Sequence, residues 1–196
     1  MLIAASLSAE KGHLVAVDAL AALRDQGYDF ELWIAGGPLD EAVNPFTRLL
    51  RERIRSQNLS DRVRLLGNVD HVRELARRAW VGLQLRITPE PCSMWVLEAL
   101  DAGLPLIASK TGGTAELVRD GVDGLLIAPP VSPGDVAAAA LRLHRDPDLY
   151  NQLSLNSRER STSFSVARFT EGLSQVYARL SATMMPVNSE GSTRIP

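Results

Sequence analysis

Residues 81–108 read Val-Gly-Leu-Gln-Leu-Arg-Ile-Thr-Pro-Glu-Pro-Cys-Ser-Met-Trp-Val-Leu-Glu-Ala-Leu-Asp-Ala-Gly-Leu-Pro-Leu-Ile-Ala, and this stretch contains the pattern that decides the fold. An apolar run at 81–87 is followed by a polar loop and then by an amphipathic segment at 95–102 that ends at a glycine. A second apolar run follows at 105–108. Strand, helix and strand in this order predict a βαβ unit with parallel strands.

The same alternation continues along the whole chain. It predicts strands at residues 2–5, 30–35, 63–66, 81–87, 105–108 and 124–127, and helices at 12–26, 44–56, 71–78, 95–102, 114–118, 134–144, 147–161 and 165–183. This order predicts an α/β fold, with a doubly wound, Rossmann-like parallel sheet of about six strands followed by C-terminal helices. We expect one domain over residues 1–183. Residues 184–196 are polar and lack periodicity, which predicts a disordered tail.

Composition excludes several classes of protein. The chain has 196 residues, 45% hydrophobic and 22% charged, and 21 Lys and Arg against 23 Asp and Glu give a net charge of −2. This balance argues against a nucleic-acid binder, which carries a basic excess. The single cysteine, Cys92, has no partner in the chain for a disulfide, which indicates a reducing compartment. No apolar run approaches the roughly 18 residues that span a bilayer. We therefore expect a cytoplasmic protein.

Ligands of doubly wound sheets bind at the carboxyl ends of the strands, so the loops after strands are the candidate sites. The loop after the first strand ends in Lys11 and Gly12 at the start of a helix, where free N–H groups and a cation can hold a phosphate. A solvated lysine in a turn explains the same residues. Gly112 and Gly113, after the fifth strand, form a second phosphate-sized nest.

The segment after the fourth strand carries two glutamates, Glu90 and Glu98. Ser93 is a good N-cap for the intervening helix start, so the first amides of that helix would point into the cleft. A carboxylate accepts two hydroxyl donors, which suits the vicinal hydroxyls of a sugar or a ribose. Glu98 stands in an otherwise apolar stretch, where a carboxylate needs donors. Exposure to solvent, or pairing with an arginine, is the alternative for Glu98.

Taken in order, these motifs resemble those of a known family. Glu90 and Glu98 form an E-x7-E element, and it is followed by Gly-Leu-Pro-Leu-Ile-Ala at 103–108, Gly-Gly-Thr-Ala-Glu-Leu-Val at 112–118 and Asp-Gly-Val-Asp-Gly-Leu-Leu-Ile-Ala-Pro at 120–129. The run closely resembles the C-terminal, donor-binding half of the family 4 (group 1) glycosyltransferases of GT-B architecture. The resemblance covers nearly the whole chain, up to Tyr177.

The resemblance implies a donor site for a nucleotide diphosphate sugar, linked to UDP, GDP or ADP, in a retaining, hexosyltransferase-like enzyme that needs no metal and no further cofactor. By this resemblance Lys11, with Gly12 beside it, contacts the donor diphosphate, and Glu98 accepts from the ribose hydroxyls. Glu90 holds the transferred sugar, and Glu90 and Lys11 are the implied catalytic residues. The remaining implied contacts are the sugar-binding amides around Ser93, Met94 and Trp95, and Gly112 and Gly113 close to the phosphates.

The chain departs from the family pattern at three points. The family usually has Gly-Arg where this chain has Ala5-Ser6, so one of two phosphate cations is expected to be missing. It usually has Gly-Phe-Gly where this chain has Pro91-Cys92-Ser93, and Pro91 lacks one N–H donor. The acceptor-binding N-terminal half of the family is absent. Because an apolar run starts directly after Met1, we expect this chain to be one half of a longer enzyme that binds donor weakly and transfers nothing alone.

Two other functions stay open on the sequence. Ser6 and Pro91 favour a non-catalytic GT-B-like interaction or scaffold module that keeps the fold without the chemistry. A sugar-nucleotide 2-epimerase-like enzyme is the other, although the additional catalytic His and acid groups that it needs have no place in this sequence.

Several other residues that resemble functional motifs are expected to have structural roles instead. Asp146-Pro147-Asp148 resembles a D-x-D metal motif, but its place between two helices favours a helix cap. The histidines at 13, 71 and 144 lack metal-ligand spacing and are expected at the surface. Of the three tryptophans, Trp95 is the one expected near a ligand. The arginines at 51, 53, 55, 73, 77 and 78 alternate with acids and predict a solvated surface. Peripheral membrane docking of the full enzyme is the alternative, since lipid-linked acceptors are common in the family.

Overall fold

The described part of the chain, residues 1–183 of a computed structural model, alternates strands and helices as predicted. The strands are β1 (Leu2–Ala4), β2 (Leu32–Ala35), β3 (Val63–Gly67), β4 (Gly82–Gln84), β5 (Leu106–Ser109) and β6 (Gly124–Ile127). The helices are α1 (His13–Asp25), α2 (Pro45–Ser56), α3 (Val72–Arg78), α4 (Met94–Ala102), α5 (Thr114–Leu117), α6 (Pro133–Arg145), α7 (Pro147–Ser161) and α8 (Val166–Thr183). The predicted tail, residues 184–196, lies outside the described residues.

The six strands form one parallel sheet in the order β3-β2-β1-β4-β5-β6. The chain therefore builds outward from β1 to β3, returns to the centre, and builds the other half from β4 to β6. Strand order reverses between β1 and β4, and ligands of such sheets bind outside the carboxyl ends of the strands at this reversal. The α/β fold class is confirmed, and the reversal brings the loops after β1 and β4 side by side.

Strand β4 is shorter than its apolar sequence predicts. The prediction was residues 81–87, but the strand ends at Gln84. Beyond it Leu85 is still fully buried, while Ile87 is 56% exposed. The amide of Ile87 donates to the carbonyl of Glu10, in the loop after β1, at 2.9 Å instead of continuing the sheet ladder. The last residues of the apolar run therefore belong to the ligand end of the sheet.

Buried aliphatic side chains hold the helices on the sheet. In α1 the side chains of Val17, Leu20 and Leu23 are at most 1% exposed, and each such side chain stabilises the fold by about 1.5–3 kcal/mol. Helix α1 packs against α6 and α2, and α4 packs against α3 and α7. The Asp146 carboxylate accepts from the amide of Leu149 at 2.9 Å at the start of α7. The predicted cap at this position is confirmed.

Contacts divide the chain into two units, Met1–Thr162 and Ser163–Pro196. The first contains the sheet and α1–α7, and the described part of the second contains α8. Helix α8 has a row of exposed apolar side chains, namely Val166, Phe169, Leu173, Val176, Tyr177 and Leu180. Among residues 1–183, no helix combines the length and apolar character needed to cross a bilayer. The single domain over 1–183 stays a prediction.

Candidate functional site

The predicted cation and the first predicted glutamate meet where the strand order reverses. Lys11 ends a short 3-10 turn (Ala9–Lys11) after β1, and Glu90 lies in the loop after β4. The Lys11 ammonium Nζ donates to Oε2 of Glu90 at 3.0 Å. Their side chains are 18% and 12% exposed. The fold thus brings together two residues that lie 79 positions apart in the sequence.

A second cation, which the sequence analysis missed, reaches the same carboxylate. Arg86 Nη1 donates to Glu90 Oε2 at 2.6 Å, and its Nε donates to the Thr88 hydroxyl at 2.9 Å. Nη2 lies 3.3 Å from Oε1 of Glu10. The missed signal was a charged residue inside the apolar run 81–87, which a true central strand does not tolerate without a partner. Arg86 belongs to the site because β4 ends before it.

The Glu90 carboxyl is ionised at neutral pH. Burial raises its pKa, but the hydrogen bonds and positive charges of Lys11 and Arg86 outweigh burial and hold the pKa below its usual value. An ionised carboxylate only accepts hydrogen bonds. Glu90 is therefore equipped to bind hydroxyl donors or cations, and it already binds two cations.

Three strand-end loops touch through backbone, and we call these contacts the backbone seam. A Cβ at Gly12, whose φ is +77°, would overlap the Leu85 carbonyl, and one at Gly113 would overlap the carbonyl oxygen of Pro91. The amide of Gly113 donates to the Glu90 carbonyl at 2.7 Å. No side chain fits at either position. The seam thus joins the loops after β1, β4 and β5 and sets the position of Glu90 relative to Lys11.

A cavity of about 420 Å³ opens at the ends of β1, β2 and β3. Helix α4 forms one wall with Met94, Trp95 and Glu98, and the residues opposite include Ser6, Gly36, Gly37, Asn68 and Val72. Within residues 1–183 the half-buried Glu98 carboxylate has no hydrogen-bond or ion-pair partner, so the alternative of pairing with an arginine does not apply. An acceptor without a donor on a cavity wall is suited to a ligand hydroxyl pair.

The start of helix α4 borders the cavity. Ser93 is buried and its hydroxyl accepts from the amide of Val96 at 3.4 Å, which confirms the predicted N-cap. Trp95 is 5% exposed and donates through its indole N–H to the Leu83 carbonyl, so its side chain is held in place as part of the cavity wall. Met94 is 66% exposed. The N–H groups and partial positive charge of a helix start therefore adjoin the cavity.

The prediction that His13 lies at the surface is wrong. Its side chain is fully buried at the start of α1, with Nδ1 3.3 Å from the Ser8 carbonyl oxygen and Nε2 without a partner. Burial is the main cause that lowers its pKa to about 4. His13 is therefore neutral at physiological pH and fills the core under the loop after β1.

Three of the six arginines of the predicted surface pair with acids. Arg51 binds Glu41 at 2.8 Å and Arg53 binds Asp18 at 2.7 Å, and Arg73 lies 3.1 Å from Asp101. These pairs fit a solvated surface. The described residues contain no group of three or more His, Cys, Asp or Glu placed to bind a metal ion.

A family model for glycosyl transferases group 1 matches residues 1–160. The chain belongs to this family. An uncharacterized glycosyltransferase of Methanocaldococcus jannaschii is 30% identical over 174 residues, which are 88% of this chain and 46% of the relative. The group 1 chain thus spans about half the length of the curated relatives it matches.

Solved structures place the group 1 chain in the GT-B fold. The Anabaena protein HepE, in complex with UDP, superimposes with a TM-score of 0.82 at 24% identity, over 91% of this chain and 48% of HepE. A crystal structure of the C-terminal domain of LpcC, a group 1 protein from Francisella tularensis, gives a TM-score of 0.72 at 18% identity over 84% of this chain and 85% of that one. The predicted family, fold and single GT-B half are confirmed.

Proposed function

We propose that this chain is the donor-binding domain of a retaining glycosyltransferase that uses a nucleotide diphosphate sugar. One observation carries the proposal: the partnerless Glu98 carboxylate lines a cavity at the carboxyl ends of the strands, the edge of the sheet at which Lys11 and Glu90 pair in the loops after β1 and β4. A nucleoside diphosphate sugar carries a hydroxyl pair, two phosphates and a sugar in that order. The strand ends offer an acceptor in Glu98, a cation in Lys11 and a second acceptor in Glu90.

In this proposal each part of the donor has a place. The nucleoside occupies the cavity, with its ribose hydroxyls donating to Glu98. The diphosphate binds Lys11 and the start of α4, where Ser93 and Met94 stand, and Gly112 and Gly113 border it. The transferred sugar lies toward Glu90.

The chemistry follows from this arrangement. The bond between the anomeric carbon and the phosphate oxygen breaks, and negative charge develops on the departing diphosphate. Lys11 and the helix start stabilise that charge by fixed electrostatics, which replaces a metal ion. The acceptor hydroxyl forms the new glycosidic bond on the same face of the sugar and gives its proton to the departing phosphate. No further cofactor takes part. The acceptor site belongs to a second GT-B half, and we place the full enzyme in the cytoplasm, associated peripherally with membrane when its acceptor is a lipid.

Binding of the donor tests the proposal. We would titrate the 196-residue chain with UDP-, GDP- and ADP-glucose by calorimetry, starting with UDP because a fold neighbour was crystallised with it. We expect one of the three to bind, and Lys11→Ala and Glu98→Gln each to weaken binding by about tenfold or more, since each removes a charged hydrogen-bonding group.

Two variants serve as controls. Glu74→Gln on α3 and Arg64→Gln on β3 make charge changes of the same kind at exposed positions, and both should bind as the wild type does. Absence of binding by all three donors at millimolar concentration would contradict the proposal and favour a scaffold module. Binding that neither Lys11→Ala nor Glu98→Gln weakens would contradict the assigned site.

A further inference from the structure

Two cations from the loops after neighbouring strands converge on one oxygen atom. Lys11 Nζ and Arg86 Nη1 lie 3.0 Å and 2.6 Å from Oε2 of Glu90. Arg86 is 16% exposed, so it is held inside the site rather than extended into solvent. Its remaining acidic neighbour, Glu10, is 44% exposed and 3.3 Å away, a longer and more hydrated pairing.

Arg86 lies in the loop after β4, next to the loop after β1 in which the second cation of the family pattern is missing. Strands β1 and β4 are neighbours in the sheet, and the amide of Ile87, the residue after Arg86, donates to the carbonyl of Glu10, the residue before Lys11, at 2.9 Å. Arg86 can therefore supply from the loop after β4 a positive charge that Ser6 does not supply from the loop after β1.

Both cations have hydrogen-bonding capacity that Glu90 does not use. Within residues 1–183 the Lys11 ammonium donates one hydrogen bond, although it carries three N–H groups. Glu90 engages both cations through a single oxygen. A diphosphate presents several charged oxygens, and guanidinium groups bind such oxygens in bidentate fashion. A diphosphate is thus a better partner for this pair than one carboxylate oxygen.

We propose that Arg86 is the second cation of the donor's diphosphate site. Arg86 and Lys11 bind the diphosphate together, and the Glu90 carboxylate takes that place only while the donor is absent. This inference rests on the proposed function, and it assigns to Arg86 a direct contact with substrate rather than a purely structural pairing with Glu90.

Opposite effects of two substitutions test the assignment. We would measure UDP binding by calorimetry and uridine binding by NMR titration for the wild type, Arg86→Gln and Glu90→Gln. Arg86→Gln should weaken UDP binding about 10- to 100-fold, the effect of losing a hydrogen bond to a charged group, and leave uridine binding unchanged. Glu90→Gln removes the competing anion and should strengthen UDP binding. Raising the salt concentration should reduce the difference between wild type and Arg86→Gln.

Two other outcomes are informative: one overturns the assignment of Arg86 alone, and the other overturns the proposed function as well. If Arg86→Gln binds UDP as the wild type does, or if both substitutions weaken UDP equally, Arg86 serves only to hold Glu90, and the inference fails. The proposed function still stands in that case when Lys11→Ala and Glu98→Gln weaken UDP. If the wild type binds no UDP, GDP or ADP, the proposed function fails and this inference fails with it.

Two further variants control for the loss of a positive charge in general and for a failure of Arg86→Gln to fold. Arg64→Gln removes an exposed arginine on β3 and should leave UDP affinity unchanged. If circular dichroism shows that Arg86→Gln does not fold, Arg86→Lys takes its place. It keeps the charge but loses the planar fork, so we expect a smaller loss of UDP affinity, and an unchanged affinity would overturn the assignment.

Discussion

The substitution Gly113→Ala tests the backbone seam on which the site geometry depends. A Cβ there would overlap the Pro91 carbonyl oxygen and lie 3.0 Å from its carbon, whereas ordinary contacts of a Cβ begin at 3.4 Å. The loops would have to separate by more than an ångström at the oxygen. The hydrogen bond from the Gly113 amide to the Glu90 carbonyl, now 2.7 Å long, would then exceed bonding distance.

The expected cost follows from these two effects. Loss of the hydrogen bond costs about 1 kcal/mol, and the overpacking costs about 1–3 kcal/mol. The lower backbone entropy of alanine in the unfolded chain opposes this by about 0.4–1 kcal/mol. We expect a net loss of about 2 kcal/mol in the free energy of unfolding, and a melting temperature lower by about 4–8 °C for a chain of this size.

Urea unfolding followed by circular dichroism measures this loss, and Gly134→Ala is its matched control. Gly134 lies in the first turn of α6 with nothing closer to its ideal Cβ than the Ser132 hydroxyl at 3.7 Å. That substitution should leave stability unchanged or raise it slightly. Gly113→Ala should also weaken UDP binding, because Glu90 moves relative to Lys11. A Gly113→Ala chain that is as stable as Gly134→Ala and binds UDP normally would refute the seam.

Three further predictions concern caps and protonation. Ser93→Ala removes the α4 cap and should lower the free energy of unfolding by about 1 kcal/mol in urea titrations. Asp146→Ala should cost a similar amount at α7 but leave UDP affinity unchanged, since no residue of α7 lines the cavity. His13 has its pKa lowered to about 4 in the folded chain, so the unfolded chain binds more protons below the ordinary histidine pKa of about 6.5. The free energy of unfolding is therefore highest above pH 6.5 and falls by up to about 3 kcal/mol as the pH drops toward 4. In His13→Gln this fall should be absent. Equal dependence of the free energy of unfolding on pH in the wild type and His13→Gln would contradict the prediction.

The sequence allowed the fold to be predicted because local signals and tertiary structure agree. Apolar runs of four to seven residues alternate with amphipathic segments, and caps such as Asp146 and Ser93 stand where the helices begin. Glu90 and Lys11 could be singled out because loops after parallel strands gather at one edge of the sheet, and Glu98 because a carboxylate in an apolar stretch needs donors.

Arg86 and His13 could not be predicted, because their environment is set by contacts between distant segments. Arg86 lies in an apolar run, and it reaches Glu90 because β4 ends early, at Gln84, and the chain then bonds to Glu10 through the Ile87 amide. His13 follows a loop with the polarity of a surface turn, yet the helix packs it inward. Such placements depend on where the chain leaves the sheet, which apolar periodicity does not encode.

The backbone seam consists of main-chain atoms. The distance between Lys11 and Glu90 therefore does not depend on which side chains stand beside the seam. Met94 is 66% exposed, lines the cavity and takes no part in the seam. Its replacement would alter the shape presented to a ligand while Lys11 and Glu90 keep their separation. Under the proposed function, donor preference is therefore open to redesign at Met94, by saturation mutagenesis of this exposed side chain, without rebuilding the loops beneath it.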